Sequence, residues 1–430
     1  MRRGSVRGRI TFALAMTGCA FPVSASNGLT LIGTGAESVA MGGADVAVAR
    51  DTTALSTNPA GLSQLPGWAH DGFVGAAFAT DVAHADQFGN DQNVANWVVP
   101  VGGAGVSKRI DGHDVTLGIG MFAQAGAGSI YNDLTTPFGG KDTLRAQFGV
   151  VKVTPGLAWR LFESLSLGVA LNAHYSSLKQ RIFPNTSVAD AANPAHSFFG
   201  TSIDNASSVR IGGKFGALFK PTSDLSLGLT YAPEVKIPFD NGKLSANLTA
   251  LGLGMVTYRE IHLTGFALPK EIAAGIAWQA SAQALLAFDL MWSNYSHALK
   301  SQSLRASNPD NPAAPPTIAS TAPLDWHDQT VFAGGLAYAL DDATRVYGGV
   351  NYGRNPIPSE TLNPLLASIG EWHLTSGFAC HIGDLWSLSA ALEYLVPKKV
   401  TYDNPNLPFG PGAQERNSYL GVTIMLSRRW

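Results

Sequence analysis

Apolar and polar residues alternate along much of the chain after residue 68. From Leu165 to Tyr175, the odd-numbered positions are apolar and the even-numbered positions are small or polar. Because successive side chains of a β-strand point to opposite faces, this period of two predicts a strand with one apolar face. The alternation recurs in seven further segments: residues 225–231, 272–278, 286–292, 332–340, 346–352, 386–396 and 420–426.

Charges occupy only one face of these segments. The apolar face carries none, whereas the other face carries Asp289, Arg345 and Glu393. A charge at the middle of a bilayer costs about 2–4 kcal/mol, but a charge facing a wet lumen costs little. This distribution favours membrane strands with a lipid-facing apolar side, although a soluble β-sandwich also alternates.

The lengths of the connections separate these two architectures. Tight turns near residues 111, 163, 222, 280, 341 and 383 alternate with longer polar loops near 84–93, 131–142, 184–207, 240–266, 298–324, 356–370 and 402–414. Short turns on one side and long loops on the other are typical of an outer-membrane barrel. The chain therefore predicts fourteen antiparallel strands: 68–83, 94–109, 114–130, 143–161, 165–183, 208–220, 225–239, 267–279, 283–297, 325–340, 344–355, 371–382, 386–401 and 415–430.

Aromatic residues close many of the apolar faces, as interfacial girdles require. Trp430 ends the chain on the same parity as Leu426, which predicts a lipid-facing terminal aromatic for recognition by the barrel-assembly machinery. Arg428 departs from this apolar pattern, and we expect its side chain to extend to the periplasmic rim.

Residues 33–67 are rich in small side chains and have too little apolar bulk for a core of their own. Alanine and valine predict one short helix around residues 41–49. Asp51 and Asn58 are favourable N-cap residues, and Pro59 suits a first helical position. Since such short helices cannot bury themselves, we interpret residues 26–67 as a hatch that plugs the lumen of a barrel formed by residues 68–430.

Residues 1–25 are typical of a secretory signal, with a basic start, an apolar run and a small-residue cleavage site ending at Ala25. A lipoprotein-type site at Cys19 is the alternative. Cleavage after Ala25 leaves Cys380 as the remaining cysteine, so no disulfide within the chain is expected. No later window has about 18 consecutive apolar residues, which leaves an exported protein, placed by its strands in the bacterial outer membrane.

The composition argues against several functions. With 29 Lys+Arg against 31 Asp+Glu, the net charge is −2, so there is no basic surface for nucleic acid. His297, His373 and His381 have no cysteine or carboxylate at metal-ligand spacing. No catalytic arrangement and no nucleotide motif is present, so neither an enzyme nor a cofactor is expected.

One segment resembles a known family. Residues 36–67, above all Thr57-Asn-Pro-Ala-Gly-Leu-Ser63, resemble the hatch of the FadL family of outer-membrane transporters for long-chain fatty acids and aromatic hydrocarbons. Residues 154–161, 213–235 and 354–358 are also similar to that family. The resemblance implies a fourteen-stranded barrel, expected to be monomeric, that captures hydrophobic molecules at the cell surface. A hatch contact at Asn58, Pro59, Ala60 and Gly61 would gate the path; capping a short helix is the alternative role.

The resemblance also implies sideways release through a gap beside a kinked third strand, where Gly126 and Gly128 would supply the kink. For the ligand, it points to Lys179 and Arg181 near the outer end of the fifth strand; contact with lipopolysaccharide is the alternative. Leu251, Leu253 and Met255 lie in a long loop and would form a capture groove, or pack on a neighbouring loop.

Two other functions remain open at this point. A barrel enzyme acting on lipids would need a serine and histidine on the wall, and a general porin would need an open lumen. For the lumen, we expect the cations Arg160, Lys214 and Arg345 to pair with carboxylates such as Asp289 or Glu393.

Overall fold

Fourteen antiparallel strands close into a barrel in the computed structural model, which describes residues 27–193 and 196–430. The predicted signal segment, residues 1–25, lies outside the described residues. The barrel strands are β1 Trp68–Ala79, β2 Val98–Arg109, β3 Val115–Ala127, β4 Lys141–Phe162, β5 Leu165–Val188, β6 Phe198–Phe219, β7 Leu225–Ala232, β8 Glu271–Gln279, β9 Ala284–Ser293, β10 Gln329–Ala339, β11 Thr344–Gly353, β12 Trp372–Ile382, β13 Trp386–Tyr402 and β14 Ala413–Arg429.

Each strand pairs with its neighbours in the sequence, and β14 pairs with β1 from Ala69 opposite Arg429 to Ala79 opposite Tyr419. This seam closes the ring, which removes the exposed edges that an open sheet would present to lipid. The predicted all-β, fourteen-stranded barrel with an N-terminal hatch is therefore confirmed.

Shorter elements decorate the ring. Strands outside the fourteen are Ala83–Ala85, Asp91–Asn93, Ile130–Thr135, Val235–Lys236, Lys243–Asn247, Met255–Thr264, Ala267–Leu268, Ser301–Pro309 and Thr317–Pro323. Helical turns are Ala36–Ala40, Thr52–Leu55, Pro59–Gln64, Thr249–Leu251, Tyr295–Ala298 and Pro364–Leu366. Among the described residues, none of the helices has the length and apolarity needed to cross a membrane.

Three sequence-based predictions need correction. The hatch helix lies at Ala36–Ala40, whereas residues 41–49 form turns around two glycines with positive φ, Gly42 and Gly43. Strand β7 ends at Ala232 and not at residue 239, because Pro233 cannot donate to the ladder. Two segments predicted as polar loops, 240–266 and 298–324, contain strands that extend the wall outward.

The barrel has a lipid face and a filled lumen. Leu171 and Ile211 are 59% and 70% exposed on the outer face, as the alternation requires. At the periplasmic rim, Arg428 stacks over Trp386 and Trp430, so its charge sits among aromatic rings.

Two apolar clusters fill the lumen. The hatch core joins Ala36, Ala40, Met41, Leu55 and Leu62 of the hatch to wall side chains Phe73, Phe122, Tyr347 and Met425. The outer core lies towards the long loops; its largest side chains are Tyr131, Phe148, Phe183, Phe239, Tyr258, Phe266, Tyr295, Trp326, Tyr402 and Phe409.

Candidate functional site

The hatch is built from short capped turns. Asp51 accepts a hydrogen bond from the Thr53 N–H at 2.7 Å, and the Asn58 side chain accepts one from the Ala60 N–H at 3.1 Å. Pro59 occupies the first position of the turn that follows. These contacts confirm both predicted N-caps, and they satisfy backbone donors that a short helix leaves unpaired.

Wall side chains hold the hatch by its backbone. Asp289 on β9 accepts hydrogen bonds from the N–H groups of Asp45 and Val46 at 2.7 and 2.8 Å. Asn351 donates to the Gly42 carbonyl at 2.9 Å, and Thr375 donates to the Ala40 carbonyl at 3.0 Å. Bonds from three separate strands therefore fix one turn of the hatch.

Asn58 joins the hatch to the wall directly. Its Nδ2 donates to the Val46 carbonyl at 2.7 Å and to the Ala217 carbonyl of β6 at 3.2 Å. Asn58, Pro59, Ala60 and Gly61 are all buried. The gating role predicted for these residues remains a prediction. Asn58 does more than cap its own turn, because its side chain also bonds to the wall.

The lumen cations bind the hatch and not the wall carboxylates. Arg160 donates to the Ser63 carbonyl at 2.9 Å, and Lys214 donates to the Ser56 carbonyl at 3.1 Å. The expected pairing with Asp289 or Glu393 is wrong for both, because the hatch offers closer unpaired carbonyl groups. Arg345 forms no ion pair among the described residues.

A belt of glycines on the lumen side of the wall leaves the space that the hatch occupies. A Cβ added to Gly168 would lie 2.1 Å from the Ala60 nitrogen, and one added to Gly216 would lie 2.0 Å from Asn58 Oδ1. Comparable collisions with the hatch backbone or its side chains arise at the other members of this glycine belt: Gly105, Gly156, Gly228, Gly275, Gly335, Gly349 and Gly377. Close approach of the plug to the wall therefore depends on missing side chains.

One hatch carboxyl makes the stability of the hatch inside the barrel depend on pH. Burial raises the pKa of Asp45 from 3.8 to about 6, although Ser38 donates a hydrogen bond to it at 2.5 Å. A carboxyl with a raised pKa stabilises the folded state fully below about pH 4, and this stability is lost as the pH rises through about 6. The effect is of the order of 3 kcal/mol at most.

We therefore expect the amides of residues 43–48 to exchange faster at pH 7.5 than at pH 5, after correction for intrinsic exchange. Hydrogen exchange with mass spectrometry measures this difference. Asp45→Asn should reduce the pH dependence, and an undiminished dependence in that variant would contradict the assignment.

The barrel wall is interrupted between β2 and β3. The two strands pair only from Gly103 opposite Phe122 to Arg109 opposite Thr116. Beyond Gly103, residues 98–102 of β2 pair with β1 alone among the described residues. The seam between β2 and β3 therefore opens towards the long-loop end of the barrel.

Strand β3 bends away at a bulge. Its ladder with β4 shifts register at Gln124, so that Ala123 lies opposite Val151 and Ala125 opposite Val150. A bulge bends the strand that carries it. Of the two predicted kink residues, Gly126 keeps a regular partner, Gly149, whereas Gly128 ends the regular strand with a positive φ of 156°.

The N-terminus of the hatch touches this bent strand. Thr30 forms a β-bridge with Ala125, and the Gly126 N–H donates to the Leu29 carbonyl at 3.2 Å. The Leu29 side chain belongs to the outer core, and its N–H donates to the Tyr295 hydroxyl at 2.9 Å. One short segment therefore joins the hatch, the bent strand and the apolar interior.

Apolar cavities lie on both sides of this segment. One of about 40 Å³ lies between the hatch and strands β1, β2, β13 and β14, and its lining includes Leu31, Ile32, Val39, Phe73, Val99 and Glu393. A smaller one of about 20 Å³, in the outer core, is lined by Leu29, Phe266, Leu299, Leu324, Trp326 and Ile357 among others. The segment Leu29–Ile32 therefore contributes to the lining of both cavities.

The predicted ligand residues are not brought together. Lys179 and Arg181 lie on the outward parity of β5, opposite Gln147 and Arg145, and Arg181 is 3.9 Å from Asp204. Leu251 and Met255 are 49% and 53% exposed on the long loop, whereas Leu253 packs against the outer core.

The structure contains a buried polar cluster that the sequence did not predict. Fully buried His84 contacts Glu415 at 2.7 Å and Asp86 at 3.1 Å, and Tyr131 donates to Glu415 at 3.2 Å. Burial lowers the pKa of His84, but the two carboxylates outweigh it and raise the pKa to about 9. The charged imidazole therefore links the first long loop to the start of β14, and these two segments are more than 300 residues apart in the sequence.

These features define the class of protein: an outer-membrane β-barrel closed by an N-terminal hatch. The model of a family described as "Outer membrane protein transport protein (OMPP1/FadL/TodX)" matches residues 19–424. The chain belongs to this family of outer-membrane transport proteins, as the sequence resemblance predicted. Among curated proteins, no sequence matches the chain.

Solved structures share the fold at low sequence identity. The toluene transporter TodX of Pseudomonas putida is 18% identical, with a TM-score of 0.76, over 94% of this chain and 100% of that chain. The toluene transporter TbuX of Ralstonia pickettii is 19% identical, with a TM-score of 0.72, over 93% and 99%. A FadL homologue of Pseudomonas aeruginosa is 15% identical, with a TM-score of 0.74, over 94% and 99%.

Proposed function

We propose that this protein takes up hydrophobic small molecules, either fatty acids or aromatic hydrocarbons, and releases them sideways into the outer membrane. The observation that carries the proposal is the wall break between β2 and β3, which lies beside an apolar cavity and below an apolar outer core. An apolar solute gains free energy, about 25 cal/mol per Å² of buried surface, by avoiding a watery channel.

Capture begins at the long loops. The exposed side chains of Leu251 and Met255 lie next to Leu253, which packs on the outer core. Exposed apolar patches of this kind mark binding surfaces. A solute that lands there reaches the outer core without crossing a charged layer, and lipopolysaccharide meets the basic outer face at Lys179 and Arg181.

Movement of the ligand through the outer core then affects the wall break. A ligand in the outer core displaces Leu29, whose backbone carbonyl is bonded to Gly126 of the bent strand. Moving Leu29 therefore changes the hydrogen bonds at the break, and the hatch around Asn58 and Pro59 acts as the gate. A ligand shifts this equilibrium only by its difference in affinity for the two states.

Uptake in cells with and without the gene tests this function. We expect the gene to raise the initial uptake rate of at least one labelled apolar compound, oleate or toluene, while purified protein conducts few ions across planar bilayers. The panel also includes glucose as a hydrophilic control. Unchanged uptake of every apolar compound, or steady ion conductance with glucose uptake, would contradict the proposal.

A further inference from the structure

The periplasmic rim beside the seam of β14 with β1 carries a cluster of tryptophans and cations. On the outer face, Trp68 of β1 stacks on Trp430, with ring centroids 6.1 Å apart. Lys108 of β2 lies opposite Trp68 in the ladder, with its Nζ 5.1 Å from the centre of the Trp68 ring. Arg428 of β14 lies opposite Trp386 of β13, and its guanidinium carbon is 5.2 Å from the centre of that ring. We call these five residues the rim cluster; it spans four adjacent strands.

The two arginines that end β14 differ in their partners. Arg429 pairs with the buried carboxylate of Asp71 at 2.8 Å. Arg428 lies on the lipid side, 4.5 Å from the centre of the Trp430 ring, and forms no ion pair among the described residues. Its Nε is buried without a hydrogen-bond partner. The protein therefore neutralises one arginine and leaves the charge of the other available to a ligand.

Aromatic contacts fix the position of Arg428 without satisfying its donors. Each contact of a cation with an indole face contributes about 0.5–1 kcal/mol at an exposed site. The N–H donors lie in the plane of the guanidinium, and their fork matches two oxygens of a phosphate. Lys108, which also has no ion pair in the part of the chain that the structure describes, adds a second positive charge from β2. The rim cluster therefore attracts an anion.

The lipid-facing wall next to the rim cluster has room for an acyl chain. Gly72 follows His70 on the outer face of β1, and a Cβ there would meet nothing within 4 Å. Its partners across the two ladders are Leu426 of β14 and Ala104 of β2. The missing side chain leaves a shallow depression beside Leu426, which is 40% exposed. A charged head at the rim with an apolar chain along the wall corresponds to the two parts of a membrane lipid.

We propose that the rim cluster binds the phosphate of an anionic glycerophospholipid in the periplasmic leaflet, with Arg428 as its main contact. Basic sites at a membrane surface bind anionic head groups in this way. A zwitterionic head group binds less tightly, because its own cation competes with Arg428 and Lys108 for the phosphate. The proposal does not depend on the proposed transport function, since the wall break opens at the other end of the barrel.

Lipids that differ only at the phosphate test this site. We would measure binding of dioleoylphosphatidylglycerol and of dioleoylglycerol to the detergent-solubilised full chain by native mass spectrometry. Arg428→Gln should weaken binding of the phospholipid about tenfold or more, the range for hydrogen bonds to a charged group, and should leave binding of dioleoylglycerol unchanged. Inorganic phosphate in excess should not displace the phospholipid, because it has no acyl chains to bind the wall.

Matched variants separate the rim cluster from a general effect of charge. Lys220→Gln removes an exposed cation in the turn after β6 and should change no lipid affinity. Arg428→Lys keeps the charge but loses the planar fork, so its affinity should lie between those of the wild type and Arg428→Gln. Arg428→Lys also serves if Arg428→Gln fails to show the heat-modifiable migration of a folded barrel. Lys108→Gln should have the smaller effect of a single point charge.

Four results would overturn the site. Unchanged phospholipid binding in Arg428→Gln would show that the arginine does not contact the phosphate. Equal losses for the phospholipid and dioleoylglycerol would assign it a structural role, and displacement by inorganic phosphate would indicate an anion site without a lipid. Normal lipid binding by a reduced yield of folded barrel would place the rim cluster in recognition by the assembly machinery. Failure of the transport function would appear in uptake and would leave these lipid affinities unchanged.

Discussion

Deletion of Gln124 should abolish sideways release while the barrel still folds. Gln124 is the extra residue of the β3 bulge, so its removal restores a regular ladder with β4. The side chains beyond it keep their faces, because Ala125 stays opposite Val150 as the next residue after Ala123. A straightened β3 can then continue its pairing with β2 past Gly103 and close the wall break.

We expect the initial uptake rate of the transported compound to fall at least about tenfold, as for a step that costs 1.4 kcal/mol or more. The measurement is uptake of labelled compound by cells that contain equal amounts of barrel. Gln124→Ala keeps the bulge and removes only the side chain, so it should retain uptake. If both variants transport normally, release does not use this break.

Adding side chains to the glycine belt should have the opposite effect and open the pore to ions. Leucine at Gly168 and Gly216 would occupy the space of the Ala60 nitrogen and of Asn58 Oδ1. Overpacking of this kind costs about 1–3 kcal/mol at each position, whereas wall hydrogen bonds between strands are unaffected. The hatch turn at Asn58–Ala60 would therefore be displaced from the wall.

We expect the single-channel conductance of the Gly168→Leu, Gly216→Leu variant in planar bilayers to rise above that of the wild type, because a wide barrel without its plug contains water. Gly348→Leu is the matched control, because a Cβ there meets nothing within 4 Å. That variant should keep the low conductance of the wild type. A rise in both variants would point to a general defect of the wall rather than to the hatch.

Much of the barrel follows from the sequence because the membrane allows few solutions. The alternation on β5, β9 and β14 was sufficient to place strands, since a lipid face excludes charge along a whole segment. The same argument fails outside the bilayer. Residues 243–247 and 255–264 also alternate and pair as strands, but their outer face is polar, so the criterion of a charge-free lipid face does not identify them.

The site was less accessible to prediction for a different reason. Asn58 and Pro59 carry local capping signals, so their turn was predicted correctly. The wall partners of the hatch are distant in the sequence, as Asp289 is from Val46 at 243 residues, and have no sequence signature.

The seam between the first and last strands has a consequence for the hatch. The Trp68 N–H donates to the Trp430 carbonyl at 2.8 Å, and the hatch joins the wall at Gly67, directly beside that junction. Met425 of the sealing strand belongs to the hatch core. Closing the seam therefore also completes the core that packs residues 27–67 against the wall. One strand both seals the ring and packs the plug, so a substitution at Met425 would weaken both.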